Sequence, residues 1–399
     1  MKVAGLFAGI GGFEVGLKRG GHDSVMLCEI ATPARAVLAS HFEQVDLYPD
    51  VTELRSIPSE VQLLVAGFPC QDLSQAGMTA GIDGSRSSLV QHVFRLLDRN
   101  PAPWLVLENV SFMLQLGRGK ALRVIVEALE DRGYRWAYRV VNSLAFVPQR
   151  RERVFLVATR TDLDPASVLL ADERVPLRNH TTLDKHAHGF YWTEGTRGLG
   201  WAQDAIPTLK VGSTVGIPAP PAILMPDGRV ITPDIRDAER LQGFPEDWTE
   251  PAEGVARRSA RWSLVGSAVT VQAAHWIGRR LSEPGEYHSG RDRQLLPESR
   301  WPPAARFDGK KRWRVEISAF PVWLKREPLA SFLQHEGNHL SARATRGFLA
   351  RADASSLRFV EGFKDRVRAH LRRMDGSSSD AARDTGTVAE TTLGLRQVA

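Results

Sequence analysis

With 399 residues the chain can hold one large domain and one or two smaller ones, with ample room for a buried core. Its two cysteines cannot form a disulfide framework, no Cys/His cluster has zinc spacing, and no apolar run approaches the ~18 residues that cross a bilayer. The first apolar strand begins at once, with no charged leader before it, so the expectation is a reduced cytoplasmic protein with no metal and no membrane partner. The formal charge of +6 is mild but uneven: residues 285–373 carry 19 Lys+Arg against 10 Asp+Glu, a candidate polyanion-binding surface, with a merely solvated face as the plain alternative.

From residue 1 to about 160, short apolar runs alternate with segments of helical period. Residues 3–7, 25–27, 63–66, 105–107 and 154–158 read as strands, and 32–41, 89–97 and 121–129 as helices, the second with Leu89, Val93, Leu96 and Leu97 on one face. This βαβ alternation predicts an α/β fold whose first domain (1–160) is a mostly parallel, doubly wound sheet. Residues 161–235 lose the rhythm and carry Gly, Pro, Thr and aromatics such as Phe190-Tyr191-Trp192, which predicts a smaller, loop-rich inserted domain. Helical pattern returns at 237–241 and 272–281, so 236–284 reads as a return segment that completes the first domain. From 285 to 374 runs a basic α+β addition. There Trp313, Val315 and Ile317 alternate like a half-buried strand, and Phe359, Phe363, Val367 and Leu371 keep helical spacing. Residues 375–399, rich in Ser, Asp, Thr and Gly, read as a disordered tail.

The chemistry-bearing residues fall at strand ends. The run 63–66 leads into Phe68-Pro69-Cys70-Gln71 and a Ser/Gly-rich stretch, 72–88, that suits a mobile loop. A cysteine there stands where open α/β sheets hold ligands, although a lone cysteine can equally be a small buried hydrophobe. Gly9, Gly11 and Gly12 form a strand-to-helix turn that lets backbone approach a ligand closely. Alone this is a weak signal, since a dinucleotide fingerprint would want glycine where Glu14 stands. Glu29 ends the second strand, as an acid would in a nicotinamide enzyme too. Further on come Leu107-Glu108-Asn109-Val110, Gln149-Arg150-Arg151-Glu152-Arg153 and Arg240-Leu241-Gln242-Gly243-Phe244-Pro245.

Together with the opening segment from Val3 to Glu14, these blocks resemble, in order and spacing, the conserved blocks of the DNA cytosine-5 methyltransferases, over roughly residues 1–160 and 235–283. The resemblance implies a methyltransferase sheet with 161–235 as target-recognition domain, S-adenosylmethionine as cofactor, S-adenosylhomocysteine as product, and double-stranded DNA as partner. It implies that Cys70 attacks C6 of cytosine, because C5 is too poor a nucleophile while the ring is aromatic. Glu108 would meet N3 and the exocyclic amine, Arg153 would donate to O2, and Arg151 would support the loop. The target base would be flipped out of the duplex. Cofactor contacts would come from Phe7, Gly9, Gly11, Gly12, Glu29 on the ribose hydroxyls, Ile30, Asp50 on the adenine amine, Val51, Pro69, Leu89, Ser267 and Ala268. The implied role is protection of host DNA in a restriction system or phage defence, with other proteins of such a system as partners.

The chain departs from the family pattern twice. Ser267 stands where Gly-Asn is usual, and the basic region after 284 is additional, with Trp301, Phe307, Trp313 and Trp323 among Arg300, Arg306, Lys310, Lys311, Arg312 and Lys325. Aromatics among bases suit nucleic acid, but the core of a small domain explains Trp313 more simply. Three rivals stay open: an RNA cytosine-5 methyltransferase, whose additional cysteine motifs Cys28 does not fit, a catalytically degenerate DNA-binding module, and a nicotinamide enzyme.

Overall fold

The structure, a computed structural model, describes residues 1–68, 89–175, 181–212 and 220–384. They divide into two compact units. One comprises the described residues of Met1–Asn179, Thr208–Gly212 and Ile235–Glu327, the other those of His180–Pro207, Ser213–Asp234 and the chain from Pro328 onward.

The larger unit is built on one ten-stranded sheet: β1 (Lys2–Leu6), β2 (Asp23–Cys28), β3 (Asp46–Tyr48), β4 (Leu63–Gly67), β5 (Trp104–Val110), β6 (Arg135–Asn142), β7 (Glu152–Thr159), β8 (Asp292–Gln294), β9 (Ala304–Phe307) and β10 (Arg312–Val315). The spatial order is β8-β10-β9-β6-β7-β5-β4-β1-β2-β3. From β5 to β3 every pairing is parallel, whereas from β5 to β8 every pairing is antiparallel. The sheet is therefore mixed and not mostly parallel. Parallel neighbours need long crossovers. The connection from Asn142 to Glu152 is too short for one, so β7 turns back antiparallel between β6 and β5.

Helices cover both faces. On one face α3 (Leu89–Arg99) and α4 (Lys120–Asp131) bury Val93, Phe94, Leu122 and Ile125 against Leu64, Leu105 and Leu156. On the other, α1 (Gly12–Arg19) and α7 (Val271–Ser282) bury Phe13, Leu17, Ala274 and Ile277 against Val65, Val106 and Val157. α1 and α7 meet closely because a Cβ on Gly16 would lie 2.5 Å from the Cβ of Ala274. Further helices of this unit are α2 (Thr32–His41), α5 (Ile235–Gln242) and α6 (Ala260–Ser267). Strands buried on both faces read as unbroken apolar runs, which is why β1, β4 and β5 were legible. β6 was missed. Its interior contains Arg139, fully buried with its guanidinium donating to the carbonyls of Ser318, Leu169 and Asp172.

The smaller unit is an antiparallel sheet, Ala202–Gln203, His188–Phe190, Ala222–Leu224, Val230–Thr232 and Asn338–His339 in spatial order, with helices α8 (Ala342–Asp353) and α9 (Phe363–Asp384). Phe190 meets Phe348 at 5.0 Å and Phe363 at 5.1 Å between ring centroids. His370 of α9 accepts from the Val230 amide and bonds the Leu340 carbonyl, joining sheet and helix.

This division cuts across the expected boundaries. The described residues from 161 to 175 belong to the larger unit, so the insertion is shorter than 161–235. The region 285–374 is not one addition: residues to Glu327 supply β8, β9 and β10, and those from Pro328 supply half the core of the smaller unit. The expected tail from 375 is helical to Asp384, and 385–399 lie outside the described residues.

Much of the basic excess is consumed internally. Arg306 pairs with Asp164 and Asp292, and Arg312 makes two 2.8 Å bonds to Glu130. Trp301 and Phe307 pack on Trp136, and Trp313 donates to Asp308. Lys310 and Lys311 are exposed, but Phe307 pairs with Trp136 at the start of β6, whereas Arg153 pairs with Val141 near its end. At ~3.3 Å per residue the lysines sit on the order of 20 Å from the Arg153 edge of the sheet. Truncating Phe363, which is fully buried, is expected to cost about 3–5 kcal/mol. The check is the protein's thermal and proteolytic stability, with the loss falling on the segments of the smaller unit.

Candidate active site

The C-terminal ends of β1, β2 and β4 border a cleft of about 270 Å³ whose lining includes Phe7, Gly9, Glu29 and Asp50. Phe7 leaves β1 at φ 54, an uncommon angle for a residue with a side chain, costing on the order of 1 kcal/mol. At Gly9, with φ +57, no atom of the described residues beyond its chain neighbours lies within 4 Å of where a Cβ would stand, so its backbone can be approached closely. The Gly9 amide donates to Glu29 Oε2 at 2.8 Å and the Ala31 amide to Oε1 at 2.8 Å. These two bonds orient the carboxylate and leave further lone pairs to accept hydroxyls. Asp50 is half-buried, and the Thr52 amide that donates to it at 2.8 Å holds its carboxyl below the usual range. Ile30, 69 % exposed, gives the lip an apolar surface, and Val51 and Leu89 contribute apolar walls.

Two carboxylates for hydroxyl and amine groups, apolar contact and an open glycine backbone suit an adenosine-type cofactor. Of the residues that the resemblance assigned to it, Phe7, Gly9, Glu29, Ile30, Asp50, Val51, Leu89 and Ser267 line this cleft. Gly11, Gly12 and Ala268 are absent from that lining and have packing duties instead. A Cβ on Gly11 would lie 2.7 Å from Phe42, one on Gly12 2.5 Å from the Val269 carbonyl, and the Ala268 carbonyl accepts from Arg151. The Ser267 hydroxyl donates back to the Leu264 carbonyl of its own helix. Pro69 and Cys70 lie outside the described residues, as does the stretch 72–88. Cys28 is buried, and burial, with Glu29 and Asp50 adding to it, pushes its thiol up to about 12, so it stays protonated.

Beside the cleft, Glu108 stands near the end of β5, paired with Gly67, and its carboxylate lies 3.5 Å from the position a Cβ on Gly67 would take. Arg153 Nε is 3.0 Å from Glu108 Oε1. Burial raises the Glu108 carboxyl, while Arg153 and Arg151 pull it down. A carboxyl so poised can donate or accept a hydrogen bond. Asn109 donates to the Phe68 carbonyl at 3.0 Å, anchoring the last described residue before Cys70 next to Glu108.

Gln149, Arg151 and Arg153 alternate along extended backbone and so share one face. Only Arg153 is turned to Glu108. Arg151, 1 % exposed, donates to the carbonyls of Leu209, Gly266 and Ala268. Gln149 bonds Leu241, Gln242 and the Leu209 amide, and Gln242 bonds Val265 and Ala268. Arg151, grouped with the catalytic residues and expected to support the loop, spends its guanidinium on these backbone carbonyls. Phe244 packs with Ile10, Val37 and Ala268, which explains the Gln-Gly-Phe-Pro block as the seat of the glycine turn.

Sequence reasoning missed Glu14. It is 1 % exposed, and among the described residues no other residue bonds either carboxylate oxygen; only its own backbone amide favours the charged form. It stands three positions after the Gly11 N-cap, where a capping box would use it, but Gly11 offers no side chain to complete the box.

Residues 1–197 match the family described as C-5 cytosine-specific DNA methylase. The chain is 46% identical over 365 residues to the type II methyltransferase M2.BsuMI of Bacillus subtilis (strain 168), a span covering 88% of this chain and 93% of that protein. It is 35% identical over 331 residues to the type II methyltransferase M.PspPI of Psychrobacter sp. (strain TA137), covering 69% and 77%. Among solved structures, the S. pombe Dnmt2 methyltransferase matches with a TM-score of 0.54 at 16% identity, over 71% of this chain and 98% of that one, a likeness of fold.

Burial raises the Glu14 carboxyl from 4.5 to about 7. The unfolded chain therefore loses this proton first, and the protein loses stability as pH rises from about 4.5 through about 7. Glu14→Gln keeps the shape and removes the charge. Its melting temperature is expected to match the parent near pH 5 and to exceed it at pH 8, by up to about 3 kcal/mol of stability, read by calorimetry across pH.

Proposed function

The chain belongs to the C-5 cytosine-specific DNA methylases, and we propose that it methylates C5 of cytosine within a specific sequence of double-stranded DNA, through a covalent adduct of Cys70 at C6. The observation that carries this reading is the Glu108–Arg153 pair at the end of β5, next to the anchored Phe68 and bordering the Glu29/Asp50 cleft.

Phe7, Gly9, Glu29, Ile30, Asp50 and Leu89 would hold S-adenosylmethionine. When bound, the cofactor supplies an electrophilic methyl on a sulfonium. The protein's own residues supply the rest. The Cys70 thiolate adds to C6, and the ring electrons move toward N3 and O2, leaving C5 as an enamine carbon able to take the methyl. Glu108, its carboxyl raised by burial, donates to N3 and accepts from the exocyclic amine, a pattern that thymine lacks. Arg153 holds Glu108 and donates to O2 as negative charge grows there. Loss of the C5 proton then expels the thiolate and restores aromaticity. The target base reaches this site flipped from the stack, at a cost of a few kcal/mol.

The type II methyltransferase names of M2.BsuMI and M.PspPI support a role in protecting host DNA beside a nuclease. Sequence readout is assigned to the smaller unit, whose core joins the segment around Phe190 and Leu224 to the C-terminal helices.

Cys70→Ser is expected to lower methylation by more than about 10³-fold while cofactor and DNA still bind. DNA carrying 5-fluorocytosine in the target should become covalently attached at Cys70, found by peptide mass spectrometry; attachment elsewhere refutes the mechanism. Expression in a methylation-free host followed by 5-methylcytosine-sensitive sequencing reads the target, and methyl groups found only in RNA would overturn the DNA assignment. Exchanging 180–207, 213–234 and 328–384 together with those of a related enzyme should change that target. Exchanging 161–235 alone should instead give an unstable protein, because foreign residues would replace Phe190 and Leu224 against the chain's own C-terminal helices.

A further inference from the structure

Glu14 has no task in this chemistry, yet the fold keeps room for it. Its carboxylate Oε1 occupies the space that a side chain at Gly5 of β1 would fill. The other fully buried acids of the larger unit behave differently: Asp237 pairs with Arg240 and Glu239 with Arg261. An unpaired buried carboxyl is costly unless it carries a proton.

The position of Glu14 is close to the cleft from three sides. Gly5 precedes Phe7 by two residues, its β2 partner Leu27 precedes Glu29 by two, and α1 begins where the Gly9 turn ends. The charged groups around it are few. Glu29, beyond the end of β2, adds a like charge. β1 offers only Lys2 at its far end, and β4 offers none. Lys18 and Arg19 stand at the opposite end of α1, β2 has Asp23 at its start, α2 contributes Arg35 and His41, and α7 contributes His275 beside Gly16 with Arg279 and Arg280 in its last turn. None of these is bonded to the Glu14 carboxylate.

The protein thus brings a carboxyl with no bonded cation beneath a cleft whose occupant, on the cofactor assignment proposed above, changes charge during turnover. The sulfonium of S-adenosylmethionine is a cation. The thioether of S-adenosylhomocysteine is neutral, the methyl having left as an electron-deficient group while the bonding pair stays on sulfur. We propose that Glu14 senses this change, ionising when the sulfonium is bound and taking up one proton from the medium when the thioether replaces it, so that the protein favours fresh cofactor over spent product above neutral pH. Because burial brings the free carboxyl to about 7, both forms are accessible at physiological pH. The two compounds share their carboxylate, ammonium and adenosine, so the comparison isolates the charge on sulfur, and a Glu14→Gln variant isolates the carboxyl that responds to it.

The test is calorimetric titration of the full-length protein with S-adenosylmethionine and with S-adenosylhomocysteine at pH 6, 7 and 8, at each pH in two buffers of different protonation enthalpy. The parent protein should release a fraction of a proton with S-adenosylmethionine near pH 7 and less with S-adenosylhomocysteine. Its affinity ratio should move by up to about tenfold toward S-adenosylmethionine between pH 6 and 8. Glu14→Gln, an isostere of the neutral acid, should bind both with a ratio independent of pH. A flat ratio in the parent, or the same pH dependence in the variant, overturns the sensor while leaving the cofactor assignment intact. If the parent binds neither compound, the cofactor assignment falls and the sensor falls with it.

Discussion

The larger unit depends on the buried guanidinium of Arg151. Its bonds to the carbonyls of Leu209, Gly266 and Ala268 gather three stretches that are far apart in the chain: the start of β7, the short return at Thr208–Gly212, and the end of α6. Hydrogen bonds from a charged donor are each worth about 1.5–3 kcal/mol, and losing them would also strand buried carbonyls. Gln149 and Gln242 brace the same junction. Ser267 thereby reaches the cofactor cleft, and Arg153, two residues along the same extended face, reaches Glu108. A Gln-x-Arg-x-Arg spacing serves both purposes because side chains on extended backbone repeat with period two.

Around that junction the same fold handles its acids in opposite ways. Glu239, Asp237 and Glu108 are buried with arginine partners, which offset the cost of desolvation. Glu29 keeps its carboxylate through backbone amides and access to the cleft. Glu14 has no bond from another described residue, and the fold makes space for it by leaving β1 without a side chain at Gly5. The first helix and the end of the second strand thus carry two different carboxyl environments.

The C-terminal region has two structural destinies. Up to Glu327 it extends the large sheet, with Arg306 and Arg312 locked by Asp164, Asp292 and Glu130. From Pro328 it completes the smaller unit, where Phe348 and Phe363 close over Phe190. Its positive charge is partly structural. Arg351 caps the carbonyls of Trp192 and Glu194, and Lys364 and Arg368 pair with Asp353.

What the sequence determined by itself was local. Apolar runs buried on both faces announced β1, β4 and β5, helical period announced α2, α3 and α4, strand-end placement brought Glu29 and Glu108 to attention, and the family resemblance brought Asp50. These signals are carried by neighbours within a few residues. The tertiary structure alone decided the antiparallel half of the sheet, because β9 and β10 join β6 from more than a hundred residues away and no local pattern encodes that pairing. It alone divided 285–384 between two cores, and it alone separated Arg151 from Arg153, two arginines of one motif whose roles differ only in what lies opposite them. Glu14 shows the same limit: a glutamate in a first helical turn is ordinary in sequence, and only the absence of a partner after folding gives its charge a consequence.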